Sequence, residues 1–171
     1  MPTKRKDTAR LVRNPFRVRV QCGALCWRWQ GGDLKVLLVT SRDTGRWVIP
    51  KGRLIPDLTP GASAAREAWE EAGVEGMVAS LPIGVFTYDK IIGPGQAIPC
   101  TVTVYPLEVT RLRDRFPERS QRQRKWFTPE RAAAKVAEPG LCDILKAFSA
   151  PQPPPGGRGS AAGAAVKTAP S

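Results

Sequence analysis

The stretch that decides the fold is Gly52 to Val74, GRLIPDLTPGASAAREAWEEAGV. Thr59 has the side chain of a helix N-cap, and Pro60 suits the first helical position. Gly73 suits the left-handed residue that closes a helix, so a helix is expected from about residue 60 to 72. On it, Glu67, Glu70 and Glu71 fall at i, i+3 and i+4 and share one face. Like charges crowded in this way destabilise a bare helix. A hard divalent cation such as Mg²⁺ would relieve the repulsion, because it takes a few carboxylates together with substrate phosphate. Ala62, Ala65, Ala68, Trp69 and Ala72 are expected to form the side that packs on a sheet.

The spacing resembles the Nudix box: Gly, five residues, Glu, seven residues, Arg-Glu, an apolar residue, any residue, Glu-Glu, any residue, Gly, an apolar residue. Gly52, Arg66, Glu67, Ala68, Glu70, Glu71, Gly73 and Val74 are in register. The first Glu of the pattern falls on Leu58, and Asp57, one residue earlier, is a candidate to replace part of that charge. The resemblance implies a Nudix-type α/β/α sandwich with a mixed sheet, and a hydrolase of phosphoanhydrides that uses Mg²⁺ or Mn²⁺. It implies metal binding by Glu67, Glu70, Glu71 and the carbonyl of Gly52, with Arg66 counted among the catalytic group. Arg66 is expected to hold a box carboxylate rather than substrate. The residue that activates water is left open.

Outside the box, Ser41-Arg42, Arg46-Trp47-Val48-Ile49-Pro50-Lys51-Gly52 and Arg122-Gln123-Arg124-Lys125-Trp126-Phe127 look like the diphosphoinositol polyphosphate and diadenosine polyphosphate phosphohydrolase branch. One departure is Lys51-Gly52-Arg53 where that branch commonly carries a Gly triplet. Arg42, Lys51, Arg53, Arg122 and Arg124 are the expected substrate-binding residues, with Arg17, Arg19, Arg46 and Lys90 as further candidates for an anion pocket. Trp47 is read either as a base-stacking side chain or as packing beside the box.

The rest of the chain reads around this centre. A strand is expected over Arg17 to Gln30 and a second over Leu34 to Thr40, joined at Gly31-Gly32-Asp33. A short strand at Trp47–Ile49 stops at Pro50. Further strands are expected near 76–90, 97–109 and 125–127, a helix starting at Thr128-Pro129-Glu130, and a last helix over about 140–148. Residues 1–15 form a basic arm expected to be mostly unpacked, 16–149 the folded domain, and 150–171 a Pro/Gly/Ala-rich tail too poor in large apolar residues to fold.

A formal charge of +12 attracts polyanions. A small polyphosphate is the expected partner, and nucleic acid is the less favoured one. Two alternatives are a nucleotide sensor of weak or no catalysis and an RNA-directed pyrophosphohydrolase. The chain has no His, which excludes His-dependent triads and Cys₂His₂ zinc sites. Cys22 and Cys26 are expected on one strand face as small buried groups. No apolar run is long enough for a membrane helix, and no secretory signal pattern is visible, so a cytoplasmic location is expected.

Overall fold

The computed structural model describes residues 11–14 and 16–153. In chain order the elements are β1 (Val12–Arg13), β2 (Arg19–Gln30), β3 (Asp33–Thr40), β4 (Trp47–Val48), β5 (Lys51–Arg53), α1 (Pro60–Ala72), β6 (Val74–Val78), β7 (Gly84–Gly93), β8 (Gln96–Leu112), β9 (Arg124–Phe127), α2 (Pro129–Lys135) and α3 (Pro139–Ala147). The expected 1–10 and 15 of the basic arm, and 154–171 of the tail, lie outside the described residues.

The sheet is mixed. Its central pair, β2 and β8, is parallel, with Cys22 opposite Thr103 and Leu25 opposite Pro106. β3 runs antiparallel to β2, and β9 runs antiparallel to the other edge of β3. Gln21 to Trp27 are buried without interruption, as expected of a strand covered on both faces. One cover is α1, whose Glu67 and Glu71 act electrostatically on Cys22 and Cys26. The other includes α3, beyond which Phe148 meets Trp27 with ring centroids 6.2 Å apart. Cys22 and Cys26 thus share the α1 face, as their even spacing requires.

β8 is 17 residues long and serves two neighbours on one edge. β7 pairs with it as far as Val104, and β6 takes over from Leu107. Pro106, which lacks a ladder donor, lies between the two. Its carbonyl still accepts from the Ala79 amide at 2.8 Å.

The caps of α1 match the sequence reading. Thr59 Oγ1 accepts from the Ala62 amide at 3.1 Å, and Gly73 closes the helix at φ 67°. The packing face differs from the expected one. Gly61, Ser63, Ala64, Ala68 and Ala72 are buried, whereas Ala62, Ala65 and Trp69 are only partly so. Glu71 is buried with that face, so the helix is rotated toward its carboxylates.

Three further differences concern the edges. Residues 51–53, beyond the expected stop at Pro50, pair with β2 as β5, because Pro50 still offers its carbonyl to the Ala24 amide at 2.9 Å and the strand resumes after it. Val12–Arg13, assigned to the unpacked arm, lie parallel to Gln96–Ala97, with Arg13 paired to Asp89 at 2.6 Å. At the other end, Trp29 Nε1 donates to the Pro151 carbonyl at 2.9 Å, so the chain remains against the fold past residue 150.

Candidate active site

β5 and α1 build the centre of the site. Glu67 lies directly over the Cα of Gly52, and a Cβ there would overlap its carboxylate. The glycine is required by this close approach. Glu71 follows one turn later and is only 6% exposed. Its Oε1 accepts from Arg122 Nη2 at 3.0 Å and its Oε2 from the Lys51 amide at 3.3 Å. Glu70 turns outward, where Arg66 Nε donates to it at 2.9 Å. Arg66 therefore contacts a box carboxylate and does not line the cleft.

The three helical glutamates open onto a cleft of about 400 Å³. Glu118, which the sequence reading did not single out, joins them there. It sits in the turn between β8 and β9, and its amide donates to the Glu70 carbonyl at 3.0 Å. Its carboxylate accepts from Arg122 Nε at 2.8 Å and Arg42 Nη1 at 3.1 Å. The only sequence signal for it was an acid four residues before an arginine.

Burial raises the pKa of Glu67, and the charges of Glu70 and Glu118 raise it further against the pull of Arg122 and Lys51. Burial lifts Glu71 to about 7, with Arg122 and Lys51 opposing and Glu67 and Glu118 reinforcing. Such mutual repulsion among oxygen donors suits a hard cation. Among the described residues no three acidic, Cys or His side chains already converge as a ligand shell, since Glu70 and Glu71 are turned to Arg66 and Arg122.

Basic side chains share the cleft with these carboxylates. Arg19, Arg42, Arg46, Lys51, Arg53 and Lys90 line the cleft. Lys51 lies over the Tyr88 ring with its Nζ 4.7 Å from the centroid. Burial lowers its pKa, opposed by Glu71 and Glu138. Trp47 both lines the cleft and packs edge-on against Phe127 at 5.3 Å.

Two expected substrate-binding arginines are placed otherwise. Arg122 reaches the cleft, but its guanidinium also donates to the Thr40 carbonyl at 3.0 Å and its side chain is 8% exposed. It holds Glu71 and Glu118 and presents little free surface to an anion. Arg124 does not line the cleft. Its Nη1 donates to the carbonyls of Ala72 at 2.6 Å and Arg113 at 2.7 Å, which ties the end of α1 to the loop after β8. Of the other candidates, Arg17 is also outside this cleft.

Asp57 lies outside it too. It occupies a turn at φ 68°, next to Leu58, which is 44% exposed. Asp57 is therefore not one of the carboxylates of the cleft.

The comparisons with known proteins agree with this geometry. The NUDIX domain matches residues 19–148. Diphosphoinositol polyphosphate phosphohydrolase 2 of Rattus norvegicus is 34% identical over 134 residues, covering 77% of this chain and 69% of that protein. Diphosphoinositol polyphosphate phosphohydrolase 3-alpha of Homo sapiens is 36% identical over 119 residues, covering 68% and 67%. The crystal structure of C. elegans Ap4A hydrolase superposes with a TM-score of 0.56 at 19% identity, over 75% of this chain and 94% of that one, a likeness of fold. With the domain match extending across the sheet, the box helix and the cleft between them, this chain belongs to the Nudix hydrolase family.

Proposed function

We propose that this chain hydrolyses a phosphoanhydride bond in a polyphosphorylated small molecule, with a dinucleoside polyphosphate or a diphosphoinositol polyphosphate as substrate and Mg²⁺ or Mn²⁺ as cofactor. The observation that carries the reading is that one cleft is lined by the carboxylates of Glu67, Glu70, Glu71 and Glu118 together with Lys and Arg side chains that reach it from the strands and loops around the box helix. The names of the relatives and of the structural neighbour point to the same two substrate classes.

Glu67, Glu70 and Glu71, with the Gly52 carbonyl, are the residues that would hold the cation. A cation held there would supply charge neutralisation to the phosphates of the substrate. Arg122 fixes Glu71 and Glu118 on either side of the same guanidinium, so these carboxylates are oriented before substrate arrives. Arg42, Lys51, Arg53, Arg19, Arg46 and Lys90 take the phosphates. Each extra phosphate adds charge-assisted contacts, which favours chains of several phosphates over a diphosphate sugar. Four unpaired cysteines suit a reducing, cytoplasmic setting. No helix among the described residues is long and apolar enough to cross a membrane.

The test is a substrate panel with Mg²⁺, Mn²⁺ or excess chelator. It contains dinucleoside polyphosphates, diphosphoinositol phosphates, nucleotide sugars and oxidised nucleoside triphosphates. Cation-dependent cleavage with the highest kcat/KM on one of the first two, and a preference that shrinks with added salt, is expected. Best turnover of a nucleotide sugar would overturn the substrate reading. A pure sensor would hydrolyse no member of the panel.

A further inference from the structure

Glu138 is an acid of the cleft that lies outside the box helix. It immediately precedes α3, whose first residue is Pro139, and it occupies the N-cap position without making a side-chain cap hydrogen bond. Its carboxylate lines the cleft instead. One oxygen, Oε2, is enclosed by the fold and has no hydrogen-bond partner, and no cation among the described residues forms an ion pair with the group. It lies near enough to Lys51 and Tyr88 to act electrostatically on both. Lys51 nevertheless sits over the Tyr88 ring, and Tyr88 donates its hydroxyl to Gln21 at 2.8 Å. Oε2 is thus a buried acceptor without a donor, a condition that is costly unless a donor reaches it.

A carboxylate beside Lys51 and Tyr88 has two consequences for an incoming polyphosphate. It repels any phosphate placed beside it, and it accepts a hydrogen bond from a hydroxyl or amino group placed there. A fully phosphorylated inositol has only phosphates to offer on its ring. A nucleoside brings ribose hydroxyls and, in adenosine, an exocyclic amine. We propose that Glu138 is a specificity-determining residue that accepts a hydrogen bond from the nucleoside part of the substrate and selects dinucleoside polyphosphates over fully phosphorylated diphosphoinositols. This rests on the phosphohydrolase reading above and narrows it.

The experiment compares kcat/KM on diadenosine tetraphosphate and on a diphosphoinositol pentakisphosphate, for the full wild-type chain, Glu138→Gln and Glu138→Lys, with melting temperatures recorded alongside. Wild type is expected to favour the dinucleotide. Glu138→Gln keeps the shape and removes the charge, and should reduce the preference about tenfold, chiefly through KM. Glu138→Lys should move it further in the same direction and improve the inositol substrate. An unchanged ratio in both folded variants overturns the assignment, as does a wild-type preference for the inositol. If wild type cleaves neither compound under any cation, the phosphohydrolase reading itself fails, and this assignment falls with it.

Discussion

Arg122 and Glu71 form the most buried ion pair of the cleft, with Nη2 3.0 Å from Oε1 and each side chain 8% exposed. Removing one partner of such a pair leaves an uncompensated charge in a poorly solvated place and costs about 3–5 kcal/mol. Arg122→Met should therefore lower the melting temperature clearly and reduce kcat more than it raises KM. Thermal unfolding and steady-state kinetics on the same preparation test this. A variant of native stability with only a raised KM would return Arg122 to the role of a simple anion binder.

Arg124 should behave differently although it is two residues away. Its guanidinium is committed to the carbonyls at the end of α1 and in the following loop. Arg124→Gln is expected to destabilise the fold by about 1–3 kcal/mol, the range for hydrogen bonds from a charged donor. KM for a polyphosphate should change less than about twofold in the folded variant, because the guanidinium does not line the cleft and is occupied by backbone carbonyls. A large rise in KM at full stability would place Arg124 against substrate after all.

Gly52→Ala tests the approach between β5 and α1. The added Cβ overlaps the Glu67 carboxylate, which must then move away from its position beside the strand. The expected result is a loss of Mn²⁺ affinity, read by calorimetry, together with a large fall in turnover. Unimpaired cation binding would mean that Glu67 has another productive position.

The shifted pKa of Glu71 predicts a pH dependence. Its value in the fold, about 7, lies above the ordinary 4.5. Between those values the cation-free native protein retains a proton that the unfolded chain has released. Stability should therefore fall as pH rises through that window and level off above about pH 7. A cation needs the carboxylate deprotonated, so Mn²⁺ affinity should strengthen from about pH 6 to about pH 8 with proton release that fades at the upper end. Glu71→Gln should flatten the stability profile, and a slope unchanged in that variant would assign the effect to another group.

Asp57 provides a control outside the cleft. Its φ of 68° is a conformation that glycine adopts without steric cost. Asp57→Gly should be neutral or stabilising by up to about 1 kcal/mol, because relief of strain offsets the added entropy of the unfolded chain. Turnover should be unaffected by it and by Asp57→Ala. A marked loss in both variants would revive Asp57 as the replacement for the carboxylate missing at Leu58.

What the sequence alone determined is local. The caps of α1 at Thr59 and Gly73, the hairpin at Gly31-Gly32, and the shared face of Glu67, Glu70 and Glu71 depend on contacts a few residues apart and on fixed periodicity. They were legible for that reason, as were the long strands and the three helices, whereas the short strands β1 and β5 and the division of residues 76–90 between β6 and β7 were not. Tertiary structure decided which charges meet. Arg122 and Arg124 have the same spacing that two residues on one strand face would have, but β9 begins only at Arg124. Arg122, still in the turn, swings toward α1, and Arg124 is taken by its carbonyls. Glu118 and Glu138 sit in a turn and ahead of a proline-started helix, where sequence offers only a solvated acid or an unremarkable cap. Both were brought to the cleft by the packing of β9 and α3 on the sheet. Long-range placement of this kind depends on how whole elements dock, and no spacing within the chain encodes it.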